Sequence, residues 1–233
     1  MNSAFKTTVV SLALLTAFAA RAEGPRFGLQ LHYVAPSRTA MYHTNSLRHA
    51  DGEKMFDGFL SSGFGASATF EWGLVNSGAV RARLEYLTFG DKAKEKEEPF
   101  VIFDRQINFS YGMNYSIKVA GLAADYVLGF KSLDAGPYVF GGLGYYSAKG
   151  SGRFFGQDWD MLWRDSMEGS GASVGLSIGA GWRFTENKGC ELHYTTLNDL
   201  KQTVKYGPHS LVGPEENHKI DLNWLQVSFC YRF

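Results

Sequence analysis

A histidine with a hydroxyl two residues further along a strand could act as general base and acyl acceptor, because positions i and i+2 share one face. The local match in this chain is His193, Tyr194, Thr195. It suits that chemistry poorly: the alternation of the segment turns His193 away from its apolar face, among charged neighbours. A structural histidine is the expectation. His32, His43, His49, His209 and His218 show no metal-ligand spacing, and no glycine motif joins a strand to a helix, so neither metal, nucleotide nor other cofactor is expected.

Charged residues offer a second kind of chemistry. Glu71, Arg81, Arg83, Glu85, Asp125, Arg183 and Glu191 stand on the polar phase of alternating segments. They could line a narrow conduit, but a lone buried charge is costly, and the favoured expectation is an interior network in which they pair. Cys190 and Cys230 fall near the same ends of neighbouring segments. An oxidising compartment favours a bridge, while the alternation places the side chains on opposite faces, so both outcomes stay open. Phe154, Phe155, Trp159, Met161, Leu162 and Trp163 form an apolar cluster in a long connection. Such a patch marks contact with a ligand, a surface or lipopolysaccharide, or else packs over the rim of the fold. Lys92, Lys94, Glu95, Lys96, Glu97 and Glu98 read as a solvated charge run.

The elements that must position these residues are strands. Lys plus Arg and Asp plus Glu are equal at 23 each in 233 residues, so no global field draws the chain to nucleic acid. Lys6, the apolar run from Val9 to Ala20, and the small residues flanking Arg21 read as a signal peptide over 1–22 with cleavage after Ala22. Residues 23–233 form the remaining domain, in which segments of about ten residues, the length a tilted strand needs to cross lipid, alternate in polarity. Eight are found, around Phe27–Ala35, Phe64–Trp72, Val80–Tyr86, Leu122–Leu128, Tyr138–Tyr146, Val174–Phe184, Glu191–Thr195 and Leu225–Phe233; the phase of the fifth is ambiguous. Short links with turn chemistry follow the second, fourth and sixth segments at Asn76–Gly78, Asp134–Pro137 and Glu186–Gly189. The other links are long.

A soluble barrel alternates too, so the orientation of the faces needs its own reason. The polar phase of the sixth segment, Gly175, Ser177, Gly179, Gly181 and Arg183, is too small for a water-facing surface and suits a narrow interior. The apolar phase places Phe27, Tyr33, Trp72, Tyr86, Trp182, Phe184 and Tyr231 near strand ends, where aromatic girdles sit. The apolar phase therefore faces lipid.

At the carboxyl end, Leu225, Val227, Phe229, Tyr231 and the final Phe233 resemble the assembly signal of outer-membrane β-barrels. Leu84, Glu85, Tyr86, Leu87, Thr88 is echoed by Leu192, His193, Tyr194, Thr195, Thr196, as in upward strands of such proteins. With the signal peptide, the chain is similar to the small OmpA-like outer-membrane β-barrels. The resemblance implies an all-β, eight-stranded antiparallel up-and-down transmembrane β-barrel with short periplasmic turns and long extracellular loops, in the outer membrane. It implies outer-membrane lipid, lipopolysaccharide and the barrel-assembly machinery as partners; the cell-wall tethering of larger members is not carried over. His193, Tyr194, Thr195 departs from the lipid A deacylases, which have Ser and Asn where this chain has Thr195 and Thr196. The leading functional expectation is a non-enzymatic barrel with a structural or adhesive role through its loops. A narrow transport barrel for small or hydrophobic molecules comes next, and a lipid A-modifying enzyme third.

Overall fold

A face that meets lipid leaves no water to satisfy an open strand edge, and the sheet closes accordingly. The computed structural model describes residues 24–44, 54–74, 77–102, 105–130, 132–158, 161–206 and 215–233. The expected signal peptide, 1–22, and Trp159 lie outside these residues. Ten strands form one sheet: β1 (Arg26–Thr44), β2 (Lys54–Asp57), β3 (Leu60–Gly73), β4 (Gly78–Asp91), β5 (Lys94–Ile102), β6 (Arg105–Gly129), β7 (Gly136–Asp158), β8 (Met161–Arg183), β9 (Lys188–Tyr206) and β10 (Glu215–Arg232). Eight of them, β1, β3, β4, β6, β7, β8, β9 and β10, pair antiparallel in a ring closed by β10 on β1. β2 adds to β1 and β5 to β6 beyond the ring.

All eight expected segments lie on ring strands, but those strands are much longer than the crossing requires. β6 has 25 residues and β7 and β8 have 23 each. At about 3.4 Å per residue and a tilt of about 40°, β6 rises roughly 60 Å, against an apolar band of about 25 Å. The outer face of β6 marks the band. Ala120, Leu122, Ala124, Tyr126 and Leu128 are exposed, and the next outward residue is Lys118.

Above that level the alternation inverts. On β4 the inward residues change from Arg81, Arg83 and Glu85 to Leu87 and Phe89, while the outward ones change from Val80, Leu84 and Tyr86 to Thr88. β7 follows the same rule, with Tyr145 and then Ser147, Lys149 and Ser151 outward, over Tyr146 and Ala148 inward. The upper sheet thus has the polarity of a soluble barrel, and burial of its inner face holds it as strand. This corrects two expectations. The charge run from Lys94 to Glu98 is not a free loop but part of β5, paired with Met113 to Phe109 of β6. Phe154 and Phe155 lie on β7 and Trp163 on β8, in a hairpin paired out to Asp158 and Met161.

The short links are tight. Leu74 donates its amide to the Gly78 carbonyl at 2.6 Å, and Ser77 takes the left-handed conformation with φ of 63°. The Thr185 hydroxyl accepts from the amides of Asn187 and Lys188 at 3.3 and 3.1 Å. The seam ends at Phe233, whose amide donates to the Phe27 carbonyl at 2.8 Å and whose ring packs on Phe27 and Tyr231 at 5.5 and 5.0 Å. Leu225, Val227, Phe229, Tyr231 and Phe233 all face outward. Deleting Phe233 removes the last rung and its aromatic contacts, so the heat-modifiable gel band in the outer-membrane fraction is expected to fall several-fold; an unchanged yield would show that this rung is dispensable.

Candidate functional site

The charged side chains of the lower interior come from inward positions of six ring strands. Glu71 of β3 accepts from Arg183 of β8 at 2.6 Å and from Arg232 of β10 at 3.1 Å. One layer further in, Arg81 of β4 reaches Asp125 of β6 at 3.2 Å and hydrogen-bonds Glu191 of β9, which also accepts from the Tyr138 hydroxyl at 2.6 Å. Arg83 then lies 3.6 Å from Asp125, 3.9 Å from Glu85 and 3.1 Å from Nε2 of His193. Ser177 donates to Asp125 at 3.2 Å. Two rings take part through their faces: Arg81 stacks 4.4 Å over Phe140 and Arg183 4.5 Å over Tyr138.

Among the described residues the buried charges are Arg81, Arg83, Arg183 and Arg232 against Glu71, Glu85, Asp125 and Glu191. Four cations therefore face four anions, and the interior is formally neutral. The seven charges expected inside are all buried here, and the structure brings them into one network. Sequence reading omitted Arg232, although its alternation with Tyr231 and Phe233 already turns it inward. It also left Tyr138 and Phe140 unplaced, because the fifth segment carries rings and glycines on both phases. Inward glycines of neighbouring strands make room for these rings: a Cβ on Gly181 would stand 2.3 Å from Tyr138, and one on Gly121 2.3 Å from Tyr146.

Above this network the interior is apolar. Trp224 sits between Phe89 and Tyr146 with ring centroids at 5.9 and 5.7 Å, and donates to the Gln226 side-chain carbonyl at 3.2 Å. Higher still, Met41, Met113, Met167, Phe59, Leu200 and Ile220 are fully buried. The Tyr115 hydroxyl donates to Gln202 at 3.0 Å, and burial pushes this phenol up from its ordinary range, so it remains a donor.

His193 points inward, 5.7 Å edge-on to Phe140, and Thr195 lies on the same inner face; both are 1% exposed or less. Neither side chain meets the lipid-facing surface. Cys190 and Cys230 are free. Cys190 faces outward across from Phe229, while Cys230 faces inward and accepts from Gln30 at 3.3 Å, so alternation keeps the two sulfurs apart. Of the expected contact patch, Phe155 is half-buried and a Cβ on Gly112 would meet its ring at 2.5 Å.

The model for the outer membrane protein beta-barrel domain matches residues 7–233. The chain belongs to this family. Its place is the outer membrane, which the exposed apolar band fits. No curated protein matches the sequence. The barrel is similar in structure to the outer membrane protein OprG from Pseudomonas aeruginosa, at 15% identity over 91% of this chain and 97% of that one, with a TM-score of 0.50. It is also similar to Neisserial surface protein A, at 10% identity over 91% and 100% of the two chains, with a TM-score of 0.48. Ail of Yersinia pestis, solved with the heparin analogue sucrose octasulfate, gives 13% identity over 91% and 100% with a TM-score of 0.42.

Removing one partner from a buried pair strands the other charge, at about 3–5 kcal/mol. Glu191→Gln in this barrel is expected to lower its unfolding free energy, taken from the urea midpoint and slope, by about 3 kcal/mol or less, because Asp125 still faces Arg81 at 3.2 Å, and Arg81→Met with Glu191→Met to recover most of the loss. An unchanged free energy in the single variant would show that Asp125, not Glu191, holds the charge of Arg81.

Proposed function

We propose that this outer-membrane barrel is a closed, non-enzymatic protein that acts at the cell surface, in a structural or adhesive role carried by the sheet and loops that project beyond the lipid. One observation carries the reading: the interior is filled twice in series, by the ion-paired layers below and the aromatic and methionine packing above. The cavity among Gln30, Glu71, Arg81, Tyr138 and Glu191 measures about 20 Å³, room for about one water molecule. A filled eight-stranded interior supports neither diffusion nor a substrate site, which leaves the projecting surface. The β7–β8 hairpin with Phe154, Phe155 and Trp163 is the candidate contact element. The inward burial of His193 and Thr195 argues against hydrolysis of membrane lipid.

A second reading, passage of a hydrophobic molecule sideways into the membrane, is favoured by one feature. Pairing of β8 with β9 lapses between Ser170 and Leu176, where β9 carries an extra residue, and it resumes at Leu176 with Thr196. The lapse lies beside the buried Leu197 and Leu200 of the upper interior.

Planar-bilayer recording of the purified barrel, paired with adherence of expressing cells to coated surfaces, separates these readings. The expected result is no discrete conductance and an adherence that is lost when residues 154–163 are replaced by a short turn. Channel openings, or uptake of an apolar solute that stops when a Ser173→Cys/Asn198→Cys bridge closes the lapse, would support transport instead. A change in lipid A mass on expression, abolished by His193→Ala, would support the enzyme.

A further inference from the structure

We propose that Lys118 and Lys149 form a binding site for the phosphate groups of the outer-leaflet glycolipid. The two residues are direct partners in the β6–β7 register, and both are exposed on the outer face. Like charges directly opposite one another destabilise a sheet, so this placement is unfavourable unless an anion lies between them. Among the described residues, neither lysine forms an ion pair. Glu168 stands one pair further out, opposite Ser151 of β7 and Lys205 of β9. The lysines are flanked in the register by Thr88, opposite Lys118, whose hydroxyl donates to the Phe64 carbonyl at 3.1 Å, and by Ser170, opposite Lys149.

Height decides which anion. Lys118 is the first outward position of β6 beyond the apolar run that ends at Ala120, and Lys149 is four residues beyond Tyr145 on β7. Four residues on a tilted strand rise about 10 Å. The polar zone of a leaflet is roughly 5–7 Å thick. Flexible stems let both ammonium groups bend back to that zone while their chains lie along the sheet. A soluble anion has no reason to meet the barrel at this level, whereas phosphates on a glycolipid headgroup are held there by their own acyl chains. Two ammonium groups on adjacent strands, with the Ser170 hydroxyl beside Lys149, match a dianionic phosphate and the hydrogen bonds its oxygens accept. The inversion of the alternation thus places a phosphate-binding pair at the lipid edge.

The test uses the full chain in detergent, following its thermal unfolding by loss of the heat-modifiable form. It is titrated separately with phosphorylated lipid A, with dephosphorylated lipid A, and with inorganic phosphate. The phosphorylated lipid is expected to raise the unfolding midpoint, with an apparent affinity that falls about tenfold or more in Lys118→Gln/Lys149→Gln. Lys188→Gln, on the opposite side of the membrane, should bind as the unaltered chain does. Equal shifts from dephosphorylated lipid A, no shift from the phosphorylated form, or unchanged binding by the double variant would each overturn the site. If inorganic phosphate alone reproduces the shift, the pair binds a free anion and the lipid assignment fails.

Discussion

Every backbone donor and acceptor that crosses lipid must be satisfied within the protein, and a strand can meet that demand only in a sheet without edges. The pairing of β10 with β1 is therefore the contact on which the rest of the molecule depends. Once the ring has eight members, its bore is fixed at a width that side chains fill. The inward face must then be composed of groups that satisfy one another.

The lower interior meets this condition by charge balance. Arginine serves because its planar fork can bind two carboxylates at once and its face can lie on a ring, as Arg81 does between Asp125, Glu191 and Phe140. Glycines at Gly179 and Gly181 are as much a part of the network as the charges, since a side chain there would collide with Phe140 and Tyr138. The network ties β3, β4, β6, β7, β8, β9 and β10 across the bore, so it stiffens the ring as well as closing it.

The upper half obeys the opposite solvent rule on the same strands. Lipid below and water above reverse which face is apolar, while the backbone ladder runs on through the change. β-Bulges accompany the transition: register shifts occur at Pro36/Arg38, Ser61/Gly63 and Ile220/Leu222. A bulge adds a residue to one strand, but the β4–β6 and β6–β7 ladders cross the transition without one, so the residue pattern reverses there and not the strand phase. The reversed polarity on an unchanged phase accounts for both the apolar plug around Trp224 and the lysines on the outer surface.

Alternation at period two, tight links after alternate segments and the aromatic run to Phe233 by themselves determined the strand count, the closure, the outward apolar face and the membrane. They also placed seven of the interior charges, because a phase assignment on one strand carries every residue of that strand with it. Strand length was not legible, because the upper strands carry apolar residues inward and polar ones outward, the reverse of the membrane segments, and such stretches read as loops. The partners within the network were not legible either. Arg81 meets Glu191 across 110 positions of chain, and such a meeting is set by the shear of the closed ring. The orientation of Tyr138 and Phe140, the separation of Cys190 from Cys230, and the facing of Lys118 with Lys149 were likewise decided only by the tertiary structure. Each depends on register between strands, which local sequence pattern does not encode.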